Sequence, residues 1–246
     1  MERFKLEQEW LQKILPEGIP LPSSTLISGP GGSGKPLIAG MILATWLKQG
    51  GSVIDFLINS GRDYAEKIFA VYGLQPQDYQ GQILYVDFDP HIDSWEEISA
   101  DHVKANLLRG ESWDLMLKLA VNRIDFERHM PIIFGAALNI LFFSPTYRQE
   151  VFQKLLEIIK SDQTSLFTVS NNVFEAQMRM LEEAADNLIF THSGEKMELH
   201  LRIERMKDVP FSGEDVVVPL SEHELRSMRS EAEKMRKHLI PILKQI

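Results

Sequence analysis

The chain has 246 residues, 44% of them hydrophobic and 25% charged, the make-up of an ordinary globular protein with length for one large α/β domain. Its 35 acidic against 26 basic side chains leave a formal net charge of −9, which opposes a broad basic footprint for nucleic acid. There is no cysteine, so disulfides, thiolate metal sites and cysteine nucleophiles are excluded.

Short β-rich runs alternate with longer helical patterns, which predicts a mainly parallel sheet flanked by helices. "STLIS" (24–28) reads as a buried strand. Residues 36–48 are apolar all round the helical wheel, as in a helix buried between sheet and neighbours, and Gly50 and Gly51 end it. "SVIDFLI" (52–58) is the next strand, 62–73 a helix closed by glycine, and "QILYVDF" (82–88) a further strand. Residues 90–128 read as an irregular loop followed by helices containing Trp95 and Trp113. Strands follow at 131–138, 165–170 and 187–191, with a helix at 147–161 before the second of them. The stretch 196–206 alternates strictly, with Met197, Leu199, Leu201 and Ile203 on one side, and predicts a half-exposed edge strand. No repeat or linker divides the chain. Residues 1–220 are expected to form one domain and 221–246 a C-terminal amphipathic helix.

The first strand runs into "GPGGSGKP" (29–36), which meets the phosphate-loop pattern G-x-x-x-x-G-K-[ST] at Gly29, Gly34 and Lys35 and then places Pro36 where a hydroxyl belongs. Such a loop works because glycines let backbone N–H groups converge on phosphate oxygens at a helix N-terminus, while the lysine adds a point charge. Gly29, Gly31, Gly32, Ser33, Gly34, Lys35 and Pro36 are therefore the candidate ligand-binding residues. Proline is accepted in a first helical turn. It has neither hydroxyl nor N–H, and it biases Lys35 away from helical backbone angles. A glycine-rich turn without a ligand is the alternative reading.

"EGIPLPSSTLISGPGGSGKP" resembles the opening of the KaiC-like branch of the RecA superfamily, and "EEAADNLIFTH" followed by "LRIERMK" resembles a later segment of that family. The resemblance implies a RecA-type sheet, ATP or another nucleotide as ligand, and a homo-oligomer with nucleotide between subunits. It also implies catalytic glutamates after the second strand, where this chain has Asn59 and Ser60. An aspartate is implied at the end of the strand that here reads "PIIFGAAL", where Gly135 and Ala136 stand. The hydroxyl ligand, the supporting carboxylate and the base are thus all replaced. Mg²⁺ is not expected, because phosphoryl transfer rests on positioning and on the charge of the metal.

The resemblance places Arg205 and Lys207 where the family's basic pair reaches toward a neighbour's phosphates, and a basic stub is the alternative. Asn171 and Asn172 follow the 165–170 strand, at a place where related folds keep a polar group. "DFDPHID" sets Asp87, Asp89, His91 and Asp93 at every second position, but no ligand set of fixed spacing is completed. In the tail, Ser221 and Glu224 form a capping box, and Leu225, Met228, Ala232, Met235 and Leu239 recur at helical spacing. That seam can pack on its own domain or dock a protein partner. The N-terminus is charged, and the most apolar stretch, 131–145, is too short to span a bilayer, so a cytoplasmic protein is expected.

The reading is a catalytically degenerate, KaiC-like pseudo-ATPase with a regulatory or scaffolding role. One rival is an active ATPase whose metal is held by Asp87 or Asp89. A second is a recombinase-like DNA-binding protein, which the acidic balance opposes.

Overall fold

The computed structural model describes residues 2–124, 130–194, 198–220 and 222–246; within the last stretch, side chains are described at 230, 233, 234 and 236–246. In chain order the elements are β1 (Glu2–Phe4), α1 (Glu9–Ile14), β2 (Ile19–Leu21), β3 (Ser24–Gly29), α2 (Lys35–Lys48), β4 (Val53–Leu57) and α3 (Arg62–Val71). They continue with β5 (Ile83–Phe88), β6 (Trp95–Ser99), β7 (His102–Ala105), α4 (Gly110–Arg123) and β8 (Ile132–Gly135). After a 3₁₀ segment (Leu138–Phe143) come α5 (Arg148–Ile159), β9 (Ser165–Ser170) and α6 (Glu175–Ala184). Strands β10 (Asn187–Ser193), β11 (Leu199–Arg205) and β12 (Asp215–Val217) and helix α7 (Glu222–Leu243) end the chain.

One sheet of 10 strands, ordered β12-β11-β10-β3-β9-β8-β4-β5-β7-β6, organises the molecule. From β10 to β7 every neighbouring pair is parallel, and antiparallel strands close both edges. Helices cover both faces, as the alternation of elements predicts. Helices α2 and α3 pack with one apolar layer, and α4, α5 and α6 with the other. The all-round apolar wheel of α2 is matched by burial of every residue from Leu37 to Leu47. Gly50 and Gly73 end α2 and α3 at φ of 80° and 77°, left-handed values that favour glycine. Pro36 does not delay the helix. Lys35 already opens α2, because Pro36 falls in the first turn, where its missing N–H has no intrahelical partner to lose.

Two expectations need correction. The helix expected with Trp113 is α4, but the stretch before it is not an irregular loop and Trp95 is not helical: β6 and β7 form a hairpin, and Trp95 lies in a strand, its ring under the Arg123 guanidinium at 5.8 Å. Strand β6 is mostly exposed, so burial leaves no alternation in its sequence to read. The alternating stretch is likewise not an edge. Strand β11 buries Leu199, Leu201 and Ile203 as expected, but the three-residue β12 pairs outside it. Met197, Ser221 and the side chains of Glu224, Leu225, Met228, Ala232 and Met235 lie outside the described residues.

Candidate functional site

The glycine loop follows β3 at the carboxyl edge of the parallel strands, where open α/β sheets form their ligand crevices. Gly32 and Gly34 take φ of 79° and 70°, conformations glycine reaches without strain, and this turns the chain into α2. Around the loop lies a cleft of about 340 Å³. Its floor is Gly31 to Leu37, and its walls include Asn59, Tyr64, Asn139, Thr168, Ser170 and Asn172. Of the loop residues singled out in the sequence, Gly29 alone stays outside the lining; it is the last residue of β3, and its carbonyl accepts from Lys35.

The Lys35 ammonium folds back on the loop. It donates to the carbonyl oxygens of Gly29 at 2.9 Å and Pro30 at 2.7 Å and to Ser33 Oγ at 3.2 Å. Burial, and then the charge of Arg236, lowers its pKa to about 7. Ser33 also meets Thr191 of β10, oxygen to oxygen, at 2.8 Å, which ties the loop to the sheet. The polar wall is held by backbone contacts. Asn139 Oδ1 accepts from Ser170 N at 2.8 Å, and Thr168 Oγ1 accepts from Ala137 N at 2.9 Å.

The C-terminal helix supplies the remaining wall. Leu243 of α7 is fully buried and Leu239 and Ile240 pack against the same layer, so the end of the helix is anchored on the domain. One turn earlier Arg236 reaches the loop, its Nη1 lying 3.1 Å from the point where a Cβ on Gly31 would sit. Glu233 lines the cleft as well and pairs with Lys237 at 2.9 Å. The sequence reading missed both, because it took from the tail its apolar seam and not its charges.

The positions read as lost catalytic groups lie at this edge. Asn59 lines the cleft. Gly135 ends β8, and a Cβ built on it would come within 2.7 Å of Cδ2 of Leu138, itself fully buried. Asp55, in β4, was passed over in the sequence. It is 1% exposed, faces α2 and α3 beside Leu43, Tyr64 and Ile68, and finds no partner for either carboxylate oxygen among the described residues. Burial, and then the charge of Asp87, raises its pKa to about 8.

No protein-family model matches the chain, and no curated protein is similar to it in sequence. Solved structures are similar. A KaiC-like protein from the hyperthermophilic archaeon Pyrococcus horikoshii superposes with a TM-score of 0.63 at 18% identity, over 89% of this chain and 99% of that one. The flagellar accessory protein FlaH from Methanocaldococcus jannaschii gives 0.63 at 17% identity, over 89% and 94%. The chain has a KaiC-like, RecA-type fold.

Within that KaiC-like fold, the remaining sequence candidates lie away from the cleft. Arg205 caps the end of α6, donating to the carbonyl oxygens of Glu182 and Ala185, and Lys207 pairs with Asp186 at 3.0 Å. Both charges are engaged within the chain at a helix C-terminus, where cations are stabilised. Asp87 pairs with His102 at 2.9 Å and Asp89 with Lys104 at 3.9 Å, and neither lines the cleft. Asn171 donates its backbone N–H to Gly29 O at 3.1 Å. No helix among the described residues is long and apolar enough to cross a membrane.

Proposed function

We propose that the chain is a catalytically degenerate KaiC-like ATPase, a regulatory or scaffolding protein that binds a nucleotide, ATP first, without a metal ion. The observation that carries the degenerate reading is the packing at β8, where Leu138 fills the space that a side chain at Gly135 would enter. A carboxylate there would meet a methyl group rather than a hydrated ion, and Pro36 offers no hydroxyl in its place.

The donors in the cleft support the same reading. Mg²⁺ is usually held through carboxylates together with substrate phosphates. The cleft offers amides and hydroxyls from Asn59, Asn139, Thr168, Ser170 and Asn172, and among the described residues its one carboxylate is Glu233, already paired with Lys237. These residues do not fit Mg²⁺. They fit phosphate, because the glycine turn presents backbone at a helix start with two cations at hand. Lys35 can swing from its loop carbonyls to phosphate oxygens, and Arg236 supplies positive charge that a metal would otherwise bring.

Self-association across the loop face is part of the proposal, and static light scattering that finds only monomer at every concentration, with and without ATP, would remove that part. The test of the whole is steady-state phosphate release. The purified chain should release phosphate at the rate of buffer with Mg²⁺ present, and release that disappears in Lys35→Ala would overturn the reading.

A further inference from the structure

His192 of β10 and His200 of β11 are directly opposed partners in an antiparallel pair, and their rings stack with centroids 4.7 Å apart. From β12, Asp215 turns Oδ2 toward both, 3.0 Å from Nδ1 of His200 and 3.5 Å from Nε2 of His192. Three strands each contribute one donor, and all three donor atoms lie within 4.8 Å of one another. Among the described residues no other group of this kind occurs.

One histidine hydrogen-bonded to one carboxylate would be ordinary on a sheet surface. Here a second imidazole lies beside the first with its Nε2 3.5 Å from the same oxygen, a distance where little hydrogen bonding remains. A shared cation accounts for the convergence. Zinc bonds to nitrogen and oxygen of about 2.0–2.2 Å give a tetrahedral edge of roughly 3.4 Å between ligand atoms. The two observed edges to Asp215, 3.0 and 3.5 Å, bracket that value. Two imidazoles with one carboxylate suit a borderline cation rather than a hard one, and the chain has no thiolate to compete.

We infer that His192 Nε2, His200 Nδ1 and Asp215 Oδ2 form a binding site for a zinc-class divalent cation, with the fourth position left to water. The site lies outside the phosphate cleft but is joined to it, since Thr191, which holds Ser33 of the loop, directly precedes His192. A bound ion clamps β10, β11 and β12 together and stabilises the folded chain by mass action.

The experiment is titration of the tag-free chain with Zn²⁺ by calorimetry and with Co²⁺ by visible absorption, with thermal unfolding in parallel. One ion per chain is expected, with a Kd at or below about 1 μM. His192→Ala and Asp215→Asn should each weaken binding by about a hundredfold or more, since even residues behind the ligands are worth 10–100-fold. His91→Ala, an exposed histidine elsewhere, should leave it unchanged. The His192 side chain is 48% exposed, so its replacement leaves the fold intact. Zn²⁺ should raise the unfolding temperature of the wild type and not of these two variants. Binding only at millimolar Zn²⁺, or micromolar binding that survives both substitutions, would overturn the inference.

Discussion

Arg236 Nη1 lies 3.1 Å from where a side chain on Gly31 would begin, so a cation from the last helix stands over the glycine loop that follows β3. If that charge serves a bound phosphate, Arg236→Ala should weaken ATP binding by about 1–3 kcal/mol, the worth of a charge-assisted hydrogen bond. Calorimetry reads it directly. Tighter binding by the variant would show that the helix obstructs the loop instead.

Lys35 titrates at about 7 in the free chain. At pH 8 it is largely neutral, and a phosphate brought against it favours the charged form. ATP binding at pH 8 should therefore take up close to one proton per site, against little at pH 6. The uptake is measured by calorimetry in buffers of different ionisation enthalpy, and equal uptake at pH 6 and pH 8 would contradict it.

Asp55 gives the stability of the protein a definite pH dependence. Its folded pKa, about 8, lies above its ordinary value of 3.8, so between those limits the folded chain holds a proton that the unfolded chain releases. Stability should decline as pH rises from about 4 to about 8, by a few kcal/mol from this group. Asp55→Asn should remove that decline. Thermal unfolding of both proteins across this range is the check, and parallel curves would contradict it.

Gly135→Asp tests the packing at β8. The Cβ alone meets Leu138 Cδ2 at 2.7 Å, and Leu138 is fully buried. Overpacking should cost about 1–3 kcal/mol in chemical denaturation, with most of the loss already present in Gly135→Ala. A neutral result for both would mean that the space is free.

The loop, the buried helix after it and the parallel sheet were legible in the sequence because each rests on local chemistry. Glycines at Gly32 and Gly34 meet positive φ, and an all-apolar wheel meets burial on every side. Arg236 was not legible, since its approach to Gly31 joins opposite ends of the chain, and nothing local distinguishes it from the other charges of α7. Asp55 was hidden inside "SVIDFLI", where a strand pattern tolerates one polar letter; its lack of partners is a tertiary fact. Strand β12, with three residues and little burial, carries too few letters for a period, so β11 was read as an edge. The His192, His200 and Asp215 group depends on that same strand pairing and was invisible for the same reason.

Nucleotide binding without a metal ion is what separates the proposed degenerate protein from an active ATPase. Calorimetric titration of the intact chain with ATP, with Mg²⁺ and then with chelator, tests it most directly. Saturable binding with the same Kd in both conditions, lost in Lys35→Ala, is expected. Binding that requires Mg²⁺, or no binding in either condition, would contradict it.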